Sequence, residues 1–281
     1  MSVKDKMSYW KLPIRIEGKF TIGRFIVPFR VFGDKPITII FVNGAQQTMG
    51  IWRDFIKRFK EDYRIIVFDF PGQGRAEILY GDYIVSFEEQ MEVLHNVVLA
   101  LSSLGDNYFV GASWGSIVAA GYASRHPERV KKLLLGSFGS KLNEFIIELM
   151  KKGRKLAEEG EIAKIGPLLI DGFGKNIPEA LKGAIRKQFQ NISIDQVKSF
   201  VAHSEFVENT ANVMKIVDPK KITARTLMIN GEKDTIVDAK ENESFASLMQ
   251  DCEFVIVKGT GHFLHFENPS CYDIYKDFFA K

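Results

Sequence analysis

Gly111–Ala112–Ser113–Trp114–Gly115 is the stretch of this sequence best suited to covalent chemistry. A serine with glycine two residues away on either side, set between an apolar run and a helix of small residues, has the form of a nucleophile elbow. Asn107–Tyr108–Phe109–Val110 reads as the buried strand before it, and Ser116 to Ala123 as the packed helix after it. In so sharp a turn, side chains at Gly111 and Gly115 would collide with the neighbouring strand and helix. The turn lifts the Ser113 hydroxyl clear of the backbone, and the helix N-terminus behind it favours developing negative charge. The competing reading is a glycine-rich strand-to-helix turn with an incidental serine.

A serine hydroxyl attacks poorly at neutral pH unless a base removes its proton and a third group orients that base. After an elbow serine these partners follow in the order acid, then histidine. The chain holds five histidines. His262 lies in Gly259–Thr260–Gly261–His262–Phe263, directly after an apolar run, and its glycines let a loop carry the imidazole over the elbow. His265, where a last helix begins, is its nearest competitor. His95 and His126 read as packing or surface residues. His203 reads either as a satisfied packing residue or as a substrate contact. Glu232, Asp234 and Asp238 all follow the strand Arg225–Ile229. Asp234 is favoured as the group that turns back to His262, because Asp238 fits better as the cap of a helix near Lys240. The N–H groups of Trp114 and of Ala45, in the loop after the third strand, are the candidate oxyanion donors. Asn43–Gly44 reads alternatively as a plain turn.

These groups need a scaffold that brings strand ends to one edge. Residues 13–33 read as an antiparallel hairpin, Pro13–Gly18 with Phe25–Phe32. Ile37–Val42, Arg64–Asp69, Val130–Gly136, Arg225–Ile229 and Glu253–Val257 are continuous apolar runs, typical of strands covered on both faces. Helical spacing of apolar residues marks 49–60, a long helix opening near Ser86, and helices over Lys240–Met249 and Pro269–Phe279. From about Ser140 to Asp218 strand-like runs disappear. Leu142, Phe145, Ile146 and Leu149 form one helical stripe, and Ile177, Leu181, Ile185 and Phe189 another, with Pro178 in a first-turn position. Ser193–Ile194–Asp195–Gln196 fits a capping box. The expected architecture is α/β: a mostly parallel sheet flanked by helices, formed by 1–139 and 219–281, with 140–218 inserted as a helical cap.

Composition narrows the classes. At 281 residues the chain is one large domain or a core with an insert, and a net charge of +3 calls for neither nucleic acid nor a membrane surface. Met1–Lys6 shows no apolar leader, and no apolar run is long enough for a bilayer. Cys252 and Cys271, without a metal-binding spacing, read as free thiols in a reducing compartment, so a cytoplasmic protein is expected. No metal or organic cofactor is called for.

Across nearly its whole length the chain resembles the α/β-hydrolase superfamily, in the order of elbow, helical cap, acid loop and terminal histidine loop. The resemblance puts Ser113, Asp234 and His262 on that family's triad positions, and Ala45 and Trp114 on its oxyanion positions. One departure is informative: most members carry His-Gly in the oxyanion loop, where this chain has Val42–Asn43–Gly44–Ala45. That variant, with Ala112–Ser113–Trp114–Gly115, Ile229–Asn230–Gly231 and Gly259–Thr260–Gly261–His262–Phe263, is similar to a narrower group. These are 3-hydroxyacyl transferases that make rhamnolipid and polyhydroxyalkanoate precursors, or pass 3-hydroxyacyl chains between acyl carrier protein and coenzyme A. Cap segments Ile165–Leu169 and Gly174–Pro178 also resemble theirs. The elbow resembles that of proline iminopeptidases too, but their glycine- and proline-rich oxyanion loop is missing.

The resemblance implies acyl transfer from an ester or thioester through an acyl-serine, with an acyl carrier protein as a candidate partner. Expected substrate contacts are Asn43, Phe145, Leu149, Phe173, Phe189, Phe200 and His203, with Ile146 and Phe206 nearby; the other reading of the apolar ones is cap-to-core packing. Lys151–Lys152–Gly153–Arg154–Lys155 reads as a solvated helix face or as a surface for an acidic carrier. Two alternatives stand beside acyl transfer: a carboxylesterase of small esters, and a non-catalytic receptor that uses the fold as a binding pocket.

Overall fold

The computed structural model describes residues 15–102, 107–210 and 212–281. The expected start of the first strand at Pro13 and the leaderless reading of Met1–Lys6 lie outside the described residues. The strands are β1 (Ile16–Ile22), β2 (Phe25–Phe32), β3 (Thr38–Val42), β4 (Arg64–Phe68), β5 (Glu77–Ile78), β6 (Asn107–Ala112), β7 (Lys132–Gly136), β8 (Arg225–Gly231) and β9 (Cys252–Val257). They form one nine-stranded sheet in the order β1-β2-β4-β3-β6-β7-β8-β9, with β5 on β2. β2 pairs antiparallel with β1, β4 and β5, and every pair from β4 across to β9 is parallel. β3 and β7 are buried along their whole length, as strands covered on both faces must be. The edge strand β9 is half exposed.

The helices of the core are α1 (Arg53–Phe59), α2 (Phe87–Leu101), α3 (Trp114–Arg125), α8 (Ala239–Ala246), α9 (Leu264–Glu267) and α10 (Cys271–Ala280). Between β7 and β8 run α4 (Glu144–Glu158), α5 (Ile165–Phe173), α6 (Glu179–Gln190) and α7 (Ile194–Thr210). One apolar cluster joins a sheet face to α2, α3 and α8, through residues such as Leu94, Val118 and Phe245. The other face carries α1 and α10, where Phe41, Trp52, Phe55, Phe59 and Tyr275 pack ring against ring. Ser86 opens α2 with a reciprocal cap, its hydroxyl accepting from the Glu89 N–H while the Glu89 carboxylate accepts from the Ser86 N–H. Among the described residues, no helix is long and apolar enough to cross a membrane.

The topology decides where chemistry can occur. From β3 the chain steps to β4 on one side, while β6 lies on the other. The loops after β3 and β6 therefore diverge and leave a crevice at the strands' C-terminal ends, where open α/β sheets bind ligands. Ala45, Ser113, Asp234 and His262 all lie just past C-terminal strand ends, after β3, β6, β8 and β9.

Candidate active site

Ser113 sits at the corner between β6 and α3 with φ +52° and ψ −121°, a conformation that costs a non-glycine residue energy and persists only where its surroundings enforce it. A Cβ on Gly115 would lie 2.1 Å from the Val42 carbonyl oxygen, and one on Gly111 would lie 2.5 Å from that of Gly115. Both glycines are thus fixed by backbone contact. The Ser113 N–H donates to the Gly136 carbonyl at 2.8 Å, and the Ser116 hydroxyl donates to the same oxygen at 2.8 Å, anchoring the turn to β7.

The Ser113 Oγ lies 3.0 Å from His262 Nε2, and His262 Nδ1 lies 2.7 Å from Asp234 Oδ2. The imidazole and the carboxylate side chains are only 5% and 1% exposed. The other Asp234 oxygen accepts from the Ile236 N–H at 3.0 Å, which holds the carboxylate in its turn. Gly231 lets that turn approach the histidine loop, since a Cβ there would fall 2.2 Å from the Gly261 carbonyl oxygen. Two residues that sequence reasoning missed fix the loop itself. Glu267 accepts from the N–H groups of Gly261 (2.9 Å) and Phe263 (3.0 Å), one on each side of the histidine. Ser137, at φ +52°, donates its hydroxyl to the His262 carbonyl at 2.6 Å. The competitors go elsewhere. Asp238 caps α8, accepting from Lys240 and Glu241 N–H. His265 packs among Phe55, Tyr272 and Tyr275, with burial pushing its pKa down to about 4.

Trp114 is the first residue of α3, so its N–H has no acceptor within the helix. Ala45 lines the same cavity as Ser113 and His262. Its loop is set by Gln47, whose side-chain oxygen accepts from the Gly44 N–H at 2.8 Å.

A family model for the α/β hydrolase fold matches residues 37–157, and a model for the FSH1 serine hydrolases matches residues 137–269. Together they span every strand from β3 to β9. The chain is a member of the α/β-hydrolase superfamily. It is similar to the (R)-3-hydroxydecanoyl-ACP:CoA transacylase of Pseudomonas putida, 21% identical over 83% of this chain and 78% of the relative. It is also similar to monoacylglycerol lipase ABHD6 of Homo sapiens, 25% identical over 93% of this chain and 81% of the relative. Among solved structures, the deep-sea metagenome α/β hydrolase MGS-M2 superposes with a TM-score of 0.81 at 20% identity, covering 94% of this chain and 98% of the other.

In this α/β hydrolase, α4–α7 roof a cavity of about 1080 Å³ with Ser113 and His262 in its floor. Leu149, Phe173, Phe189, Phe200 and His203, all expected to meet substrate, line it together with Ile146, Leu169 and Ile185. Phe173 stands edge-on to the His262 ring at 5.4 Å. Two expected contacts are corrected. Asn43 is 1% exposed and takes no part in the wall; it accepts from Trp52 Nε1 (2.7 Å) and donates to the Phe68 carbonyl (2.9 Å), so it supports the loop after β3 from behind. Phe145 lies on the outer side of α4, 45% exposed, because the stripe that faces inward runs through Ile146, Leu149 and Met150. Phe206 packs edge-on against Trp114 and lines no part of the cavity. The basic stretch on α4 is met by its own neighbours: Lys151 by Glu148, Arg154 by Glu208 and Ser204, and Lys155 by Glu159.

Proposed function

We propose that this α/β hydrolase transfers or hydrolyses the acyl group of an ester or thioester through an acyl-serine, with residues 140–218 acting as the cap that selects the chain. The observation that carries the reading is the unbroken chain of contacts Ser113–His262–Asp234 at the floor of a largely apolar cavity. His262 Nε2 takes the Ser113 proton as Oγ attacks the carbonyl carbon, and Asp234 stabilises the resulting imidazolium without taking its proton. The N–H groups of Ala45 and Trp114 receive the tetrahedral oxyanion. The imidazolium then protonates the departing alcohol or thiol. In the second half, His262 removes a proton from water, giving hydrolysis, or from an acceptor hydroxyl or thiol, giving transfer, and the Ser113 hydroxyl is restored.

Within this reading the substrate is a medium-chain 3-hydroxyacyl thioester. The similarity to the transacylase and the volume of the largely apolar cavity support it. An acyl carrier protein as donor belongs to the same proposal and rests on that similarity alone. The competing reading, hydrolysis of a glycerol ester, draws on the similarity to monoacylglycerol lipase. Incubation with a 3-hydroxydecanoyl thioester, followed by mass spectrometry, separates them. Acyl groups moved to a second thiol or joined as ester-linked dimers mean transfer; free acid alone means hydrolysis. Ser113→Ala is expected to cut turnover by about 10⁴-fold or more and to abolish fluorophosphonate labelling with the fold unchanged. Labelling that survives in that variant would remove Ser113 as nucleophile.

A further inference from the structure

The cavity is not apolar throughout. On α7, His203 lines its wall beside Ser113 and Trp114, the imidazole edge-on to the Trp114 indole with centroids 5.2 Å apart. The residue keeps some exposed surface toward the cavity, but its Nε2 atom is fully buried and has no hydrogen-bond partner. Burial pushes its pKa down to about 4, so the ring is neutral at pH 7. Behind it, a recess of about 20 Å³ adjoins the cavity along Gln46 and His203. The far wall of this recess belongs to the core, and includes Gln73 in the loop after β4. Gln73 is 8% exposed, and its side-chain Oε1 is also buried without a partner.

Several other polar groups around the recess are already engaged. Gln90 accepts from Trp114 Nε1 at 2.8 Å and donates to the Val85 carbonyl at 2.9 Å. Tyr83 donates to Asp195, and the Gln46 carbonyl accepts from Gln188 Nε2. Two residues that each carry an unpaired buried polar atom therefore line one small recess, one from the helical layer and one from the core. An unpaired buried polar atom costs roughly what a lost hydrogen bond costs, and native structures hold few of them. A group that fills the recess must be about the size of one water molecule and must satisfy both walls. The imidazole tautomer and the amide orientation can each adjust. A hydroxyl, both donor and acceptor, bridges an N–H on one side and a carbonyl on the other in either arrangement.

The geometry points to a hydroxyl-binding subsite formed by His203 and Gln73, which reads a hydroxyl on the acyl chain near its carbonyl end. His203 packs against Trp114, the residue after the nucleophile, and lines the same cavity as Ser113, so the subsite opens onto the space that holds the bound carbonyl. It rests on the acyl-cavity reading above and adds to it two residues that set specificity.

The test is a binding measurement on the Ser113→Ala protein, so that no turnover intervenes. Calorimetry compares methyl decanoate with each enantiomer of methyl 3-hydroxydecanoate, first in that protein and then with His203→Phe or Gln73→Leu added. One hydroxylated enantiomer is expected to bind about tenfold tighter than the plain ester, the discrimination one well-placed hydrogen bond gives. Either added substitution is expected to bring the ratio close to one. Two different variants guard against one of them failing to fold. Equal affinity for the plain and hydroxylated esters in the Ser113→Ala protein overturns the subsite alone, as a recess that holds only water would. A preference that survives both added substitutions also overturns it. Binding of neither ester overturns the acyl-cavity reading and the subsite with it.

Discussion

The elbow and the helical layer above it are built to different tolerances. At the elbow, backbone meets backbone: Gly115 and Gly111 have no room for a methyl group, and Glu267 and Ser137 clamp the histidine loop. In the layer, Ile165, Phe189 and Phe200 form a small buried apolar nucleus. Single polar contacts stitch it to the core, among them Gln188 to the Gln46 carbonyl, Gln196 to the Gly74 carbonyl and Thr235 to the Gly172 carbonyl. Side chains such as Leu169, Phe173 and Ile185 turn a partly buried face to the cavity instead of to one another. The difference teaches where variation is cheap. A methyl group too many at the elbow forces the backbone to move, whereas one in the layer reshapes a cavity wall.

Substitutions in each region can break or sharpen this contrast. The largest effect is expected from Asp234→Asn, which leaves the carboxylate's place filled but favours the wrong imidazole tautomer; kcat should fall by about 10⁴ with little change in melting temperature. A loss under tenfold would take the chemistry out of the core. Glu267→Gln keeps one acceptor where two N–H groups need one each. It should cost about 1–3 kcal/mol by denaturant unfolding and lower kcat more than it raises KM, because the histidine loop loosens. In the layer, Leu149→Ala should leave fluorophosphonate labelling intact while shifting the preferred chain length upward, a change of several-fold in the kcat/KM ratio between two chain lengths. If it instead abolished labelling, the two regions would not be separable.

The last expected effect concerns pH, and it involves one buried histidine in each region. His203 and His265 titrate near 4 in the folded chain, against 6.5 for an ordinary histidine. Between those values the unfolded chain binds more protons, so stability is full above about pH 6.5 and falls as pH drops toward 4. Thermal melts at pH 7 and pH 5 should show the drop. His265→Phe and His203→Phe should each flatten it.

Much of the core was legible because its constraints are steric and therefore written in residue types. Glycines flanking Ser113, apolar runs of strand length, and the Ser86 cap each state a geometry. The layer was less legible. α5 carries Gly166, Pro167 and Gly172, poor helix formers, and it is held by packing: a Cβ on Gly166 would come within 3.2 Å of the Arg186 Cα on α6. The two-residue β5 pairs only because β2 offers it an edge. Asn43 reads as a polar group near the chemistry, but a sequence does not state which way a side chain points, and here it points into Trp52 and the end of β4. Glu267 gave no signal at all, being one acidic residue among many until the loop folds around it.

The contact between Ser113 and His262 joins positions 149 residues apart, and Ser137 reaches the same histidine across 125. Loops of that span close late in folding, since their entropic cost precedes any reward. Secondary structure and much of the tryptophan burial can return while Ser113 is still without its contact to His262. Recovered activity would therefore report the closing of the contact between Ser113 and His262, and not the local pairing of β9 with β8. Under the proposed mechanism, a chain paused before that contact would carry a formed elbow that cannot yet acylate.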